Sequence, residues 1–108
     1  MTDSIQVQLR KGALDLCVLA VLSRGENYGY EIANTLVTAV GMGEGTIYPL
    51  MRRMQNDGLV ATRLVESSSG PPRKYYRLTP LGLTVFEAHR RDWRTFANSV
   101  EKLLGELE

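Results

Sequence analysis

The sequence predicts a mainly α fold with a small β-hairpin, and three observations carry that expectation. Apolar residues recur at helical spacing in three successive segments of the first half. Two short runs rich in β-branched and aromatic residues then flank a Ser/Gly/Pro loop. A last segment repeats apolar residues at alternating spacings of three and four, the rule for a helix that packs on helices. A chain of 108 residues can bury one modest core.

The first helix is expected over Leu9 to Leu22, apolar on nearly every side, as for a helix between others or at a subunit interface. Ser23 to Asn27 supplies turn residues that end it. A second helix is expected over Gly29 to Val40, with Ala33, Leu36, Val37 and Val40 recurring and Glu31, Asn34 and Thr38 outward. Gly41-Met42-Gly43 breaks the chain. In the third helix Ile47, Leu50, Met51 and Met54 make one buried stripe. Gly45, Tyr48, Pro49, Arg52, Arg53 and Asn56 fall opposite. Pro49 is tolerable if that helix starts near Glu44 to Thr46, with Thr46 as its cap, and Gly58 suits a left-handed stop.

Leu59 to Val65 and Lys74 to Leu78 read as paired strands around the tip Ser67 to Pro72. Thr79-Pro80 opens the final helix, a cap-type residue before proline at the first helical position. At about 1.5 Å per residue it would span roughly 40 Å, more than so small a domain covers. Phe86, His89, Trp93, Phe96, Val100, Leu103 and Leu107 form its seam, and a second copy of the chain is the expected cover. The layout is that of a winged helix-turn-helix plus a long C-terminal dimerisation helix. The expected division is residues 1–78 for the former and 79–108 for the latter.

Composition narrows the function. One cysteine, Cys17, sits in an apolar run and reads as a small buried hydrophobe. With one histidine, His89, it cannot build a usual zinc site, and no nucleophile has a recognisable base and orienting acid. No glycine-rich phosphate loop follows a strand, so an enzyme is not expected, nor a cofactor. No apolar run reaches the length of a membrane span, and the stretch from Met1 to Gln6 lacks a signal-peptide layout. A cytoplasmic protein is expected.

The net charge is only +1, but its distribution is informative. Arg52, Arg53, Arg63, Arg73, Lys74 and Arg77 crowd one stretch, opposed there only by Asp57 and Glu66. A local cationic surface of this kind suits the phosphates of double-stranded DNA. Thr46 and Tyr48 lie at the start of the third helix, where a recognition helix meets bases. Arg52 and Arg53 are placed for phosphate or for guanine, or else form a solvated helix face. Arg73 and Lys74, just past the Pro-Pro tip, are placed for backbone phosphate or the minor groove. Of Tyr75 and Tyr76, one is expected in the core.

Four segments in order resemble the PadR-type transcriptional regulators: Asn27-Tyr28-Gly29-Tyr30-Glu31-Ile32, Gly45-Thr46-Ile47-Tyr48-Pro49-Leu50, Asp57-Gly58-Leu59-Val60 and Arg73-Lys74-Tyr75-Tyr76-Arg77-Leu78-Thr79. With one C-terminal helix the chain is similar to the short members of that family. The resemblance implies a homodimer that binds palindromic operators and represses. It also implies the possibility of a small aromatic or phenolic effector at the dimer centre, with Trp93 in the place of a ligand-stacking tryptophan and Asp15 and Leu16 on the pore wall. Arg90 and Arg91 stand beside Trp93. Asp15, the sole charge between Lys11 and Arg24, is either solvated, ion-paired or in contact with that ligand. An effectorless dimeric repressor and a dimeric small-molecule-binding or interaction module share this layout. The basic residues of the third helix and hairpin weigh against the last.

Overall fold

The computed structural model describes residues 5–10 and 12–106. In chain order these form α1 (Ile5–Arg10), α2 (Leu14–Ser23), β1 (Asn27–Tyr28), α3 (Gly29–Val40), α4 (Glu44–Asn56), β2 (Val60–Val65), β3 (Arg73–Leu78) and α5 (Pro80–Glu106). The strands make one antiparallel sheet in the order β1-β3-β2. This is the expected winged helix-turn-helix with a long terminal helix.

Two local features depart from expectation. The single first helix is divided, because Gly12 takes a positive φ of 84° and Ala13 N–H turns back to the Arg10 carbonyl at 3.0 Å. Glycine reaches that region without a Cβ clash, so the helix stops and restarts there. Asn27, expected to close a turn, and Tyr28 after it pair with Tyr76 and Tyr75 and add a third strand. Leu107 lies outside the described residues.

Val18, Leu19 and Leu22 of α2, Ile32, Ala33 and Leu36 of α3, and Ile47, Leu50, Met51 and Met54 of α4 bury together. Met42 joins them because α3 ends on Gly41 in the left-handed region, φ 66°, with Met42 N–H bonded back to the Leu36 carbonyl. Val60 and Tyr76 close the core from the sheet. Tyr76 is therefore the core tyrosine, and Tyr75 faces the other way. Cys17 is half-buried beside this core, and burial pushes its thiol pKa up, so it behaves as a small hydrophobe.

The start of α5 is locked onto the same core. Thr79 caps it, its Oγ1 accepting from Gly82 N–H at 3.0 Å and donating to the Gly58 carbonyl. Gly82 is buried where a Cβ would run into the Leu59 carbonyl oxygen. Phe86 is 6% exposed within its own subunit. That corrects its expected place in an intersubunit seam: the first two turns of α5 pack on α2 and the sheet. His89 is half-buried at the edge of this contact. Beyond it the apolar stripe continues in solvent, with Trp93, Phe96, Val100, Leu103 and Leu104 all exposed.

Candidate nucleic-acid interface

Helix α4 buries one face and presents the other. Its N-cap is Gly43, in extended conformation at ψ 150°, and Thr46 N–H bonds to the Gly43 carbonyl at 2.9 Å. Thr46 is thus in the first turn, exposed, rather than the cap expected of it. The helix starts at Glu44, within the range expected of it, and Pro49 sits in its second turn. Its missing N–H leaves the Gly45 carbonyl without its helical partner, on an exposed face where solvent can replace it.

Tyr48 and Arg52 stand on the solvent face. Burial, then the charge of Glu44, raises the Tyr48 pKa, so its hydroxyl stays protonated and can donate a hydrogen bond. Burial raises the Tyr76 pKa, and the charge of Arg52 acts on that phenol in the opposite direction.

Arg53 is placed differently from expectation. Its Nη2 donates to both carboxylate oxygens of Asp15 on α2 at 3.0 Å, and Nη1 stands 3.7 Å from Asp57. The i to i+4 spacing to Asp57 and the facing turn of α2 together draw the guanidinium sideways. It clamps α4 to α2 rather than standing free on the groove-facing side. Asp15 is accordingly engaged within its own subunit, one of the alternatives open from the sequence.

Arg63 is likewise committed. It makes two hydrogen bonds to Glu26, Nε to Oε2 at 2.9 Å and Nη2 to Oε1 at 2.6 Å. The Arg63 hydrogen bond holds the Glu26 carboxyl below its usual pKa. Arg63 Cζ also stands 5.7 Å from the Tyr75 ring centroid. Subtracting these two arginines leaves Arg52, Arg73, Lys74 and Arg77 without an ion pair among the described residues.

A cleft of about 640 Å³ opens between the hairpin tip, the base of β3, the start of α3 and Tyr48 of α4. Arg73, Lys74 and Tyr48 line it, three of the six residues expected at DNA. Thr46, Arg52 and Arg53 do not line it. Arg73 Cζ lies 4.6 Å from the Tyr28 ring centroid and Lys74 Nζ 5.4 Å from that of Tyr76, both inside cation–π range. These rings hold two long, otherwise mobile cations at the cleft wall.

Tyr28 and Tyr30 complete the cleft and carried no role in the sequence reading. Their rings stack at 6.4 Å, and Tyr28 also meets Tyr75 at 5.6 Å. The Tyr28 hydroxyl donates to Glu31 at 3.2 Å. Gly29 between them lets the Tyr48 and Tyr76 rings approach the backbone, each about a van der Waals contact from the Cβ it lacks. The available signal was the run Asn27-Tyr28-Gly29-Tyr30, two aromatics flanking a glycine at a helix start.

The shape and chemistry match a surface that lays a helix in a groove and a cationic hairpin on the adjoining backbone. Among the described residues no His/Cys/Asp/Glu cluster could hold a metal ion, and no helix is long and apolar enough to cross a membrane.

Comparison with known proteins agrees. The model of the transcriptional regulator PadR-like family matches residues 18–88. The chain is similar to a PadR-like transcriptional regulator from Bacillus cereus, 40% identical with a TM-score of 0.81, over 90% of this chain and 96% of that one. A PadR family transcriptional regulator from Eggerthella lenta is 38% identical with a TM-score of 0.79, over 91% and 87%. A PadR family transcription regulator from Clostridium difficile is 31% identical with a TM-score of 0.77, over 85% and 98%. These are regulators rather than enzymes, as the missing catalytic constellation led one to expect. The chain belongs to the PadR-like family of transcriptional regulators.

Proposed function

We propose that the protein is a homodimeric cytoplasmic repressor that binds a palindromic operator and leaves it when a small aromatic effector occupies the dimer centre. The observation that carries the DNA half is the cleft where Tyr48, Arg73 and Lys74 meet, with Arg52 beside it and none of the three cations ion-paired among the described residues. Helix α4, with Thr46 at its start, reads the major groove. The hairpin cations take phosphate and add salt-sensitive affinity.

The dimer half rests on α5. Trp93, Phe96, Val100 and Leu103 are 36% to 64% exposed on one stripe of a helix whose first turns are anchored in the core. Two copies joined along residues 93–103, with His89 at the margin, would set the distance between their recognition helices at about one DNA turn. Leu16 and Trp93 share a groove between α2 and α5, which supports an effector near that seam. An effector that prefers a spacing unsuited to DNA then shifts the population off the operator. Asp15 does not meet the effector in this reading. Through Arg53 it ties α2, which lines that groove, to the recognition helix.

The test is a gel shift on DNA upstream of the protein's own gene across a salt series. Specific binding that weakens as salt rises supports the reading. Binding no tighter than to competitor DNA would remove it.

A further inference from the structure

Helix α4 carries two residues that its own folding does not call for. Gly45 is exposed, its φ lies outside the left-handed region, and a Cβ built on it meets nothing within 4 Å. Alanine would fit there and would favour the helix. Gly82 is the contrast, since packing against the Leu59 carbonyl forbids it a side chain. Pro49, four residues after Gly45, removes an N–H from the second turn and leaves the Gly45 carbonyl without its helical partner. Pro49 is exposed as well, so no core packing offsets that loss. Residues that weaken an element with no return in packing mark functional positions.

Gly45, Pro49 and Arg52 follow one another at i, i+4 and i+7 and share an exposed face, opposite the buried Ile47, Leu50, Met51 and Met54. Bulk grows along that face, from no side chain, through a compact ring, to a guanidinium with no ion pair among the described residues. A helix with its side chains is about 10–12 Å across, and the major groove is about 12 Å wide. A face that tapers to bare backbone lets the start of α4 go deepest, while Arg52 still reaches the groove wall.

We infer that Gly45 is where the backbone of α4 meets the operator. Its missing side chain brings the helix against a base-pair edge, and its carbonyl accepts a hydrogen bond from the exocyclic amine of an adenine or a cytosine. Those amines are the donors that the bases present in the major groove. This rests on the proposal that α4 enters that groove, and it adds a reading element that no side chain supplies. A methyl group at position 45 would hold the helix off the base and lengthen that bond.

The experiment measures, by fluorescence anisotropy, the binding of the full-length parent and of Gly45→Ala to an operator fragment and to competitor DNA, with melting curves for both proteins. Gly45→Ala is expected to melt no lower than the parent and to lose about tenfold or more in operator affinity, the loss typical of one mismatched base pair. Its affinity for competitor DNA should stay that of the parent, because phosphate contacts carry that binding. A second set of operators replaces each adenine in turn by purine and each cytosine by 2-pyrimidinone, which deletes the amine. One such position should weaken the parent and leave Gly45→Ala indifferent. An unchanged operator affinity for Gly45→Ala overturns the inference and leaves the DNA reading standing. A loss shared equally by competitor DNA, a lower melting temperature, or the lack of any position with that pattern overturns it too. A parent that does not prefer the operator removes the DNA reading and the inference together.

Discussion

The two halves of α5 carry one apolar repeat and meet opposite surroundings. In the first turns Gly82 and Phe86 are buried in the subunit's own core, while Phe96 and Leu103 further along are 64% and 62% exposed. Periodicity identifies which face of a helix is apolar; it says nothing of what covers that face. The cover is set by where the helix leaves the domain, and here the capped start at Thr79 and the missing Cβ of Gly82 press the first half onto Leu59, α2 and β3. Whatever lies beyond that contact must find its partner elsewhere.

The sharpest way to break the contrast is to substitute one residue from each half. Phe86→Ala should cost about 3–5 kcal/mol and unfold much of the protein, because it opens a cavity in the core that α2, α3, α4 and the sheet share. Gly82→Ala should cost at least about 1–3 kcal/mol, since the Leu59 carbonyl cannot yield without moving β2. Thermal unfolding monitored by far-ultraviolet dichroism checks both. If Gly82→Ala melts like the parent, the close packing of α5 on Leu59 is wrong.

Substitutions in the distal half should act on assembly instead. Phe96→Glu with Leu103→Glu would place two charges in the proposed seam, where each apolar side chain contributes about 1.5–3 kcal/mol when buried. Sedimentation should then show a folded monomer, and operator affinity should fall by about two orders of magnitude or more as one half-site is lost. A variant that stays dimeric would move the interface off this stripe.

A smaller effect separates two neighbouring arginines. Arg52→Ala should weaken operator binding by about 1–3 kcal/mol if it reads a base, less if it meets phosphate. Arg53→Ala should instead lower stability only slightly, because its ion pairs with Asp15 and Asp57 are exposed and therefore weak. Operator titrations and melting curves on the pair distinguish the roles. Equal losses of DNA affinity with unchanged stability would return Arg53 to the DNA surface.

The smallest effect is in pH. Glu26 has its pKa lowered by Arg63, so the stability it adds is present above the ordinary glutamate range and disappears as pH falls through the lowered value. The parent should therefore lose slightly more stability than Glu26→Gln on acidification below about pH 4.5. Parallel acid titrations of the two proteins measure it, and identical profiles would contradict the link.

Much of this was legible before any coordinates. The stripe Ile47, Leu50, Met51 and Met54, the breaks at Gly41 and Gly58 and the Thr79-Pro80 start all follow from local periodicity and cap chemistry. What escaped reading was pairing across distance. Asp15 with Arg53 and Glu26 with Arg63 are separated by 38 and 37 positions, and no pattern along the chain announces them. They decide which cations remain for a phosphate. β1 was missed because two residues are too few to show alternation. The role of Tyr28 and Tyr30 depends on that strand, since its pairing with β3 brings their rings beside the hairpin base.

The central claim is that a second copy of the chain covers residues 93–103. Sedimentation equilibrium of the parent protein across low micromolar concentrations addresses it without any variant. A mass of two chains, with α5 helical by dichroism, is the predicted result. A mass of one chain at every concentration, with the same helicity, would mean that the exposed stripe has some other partner.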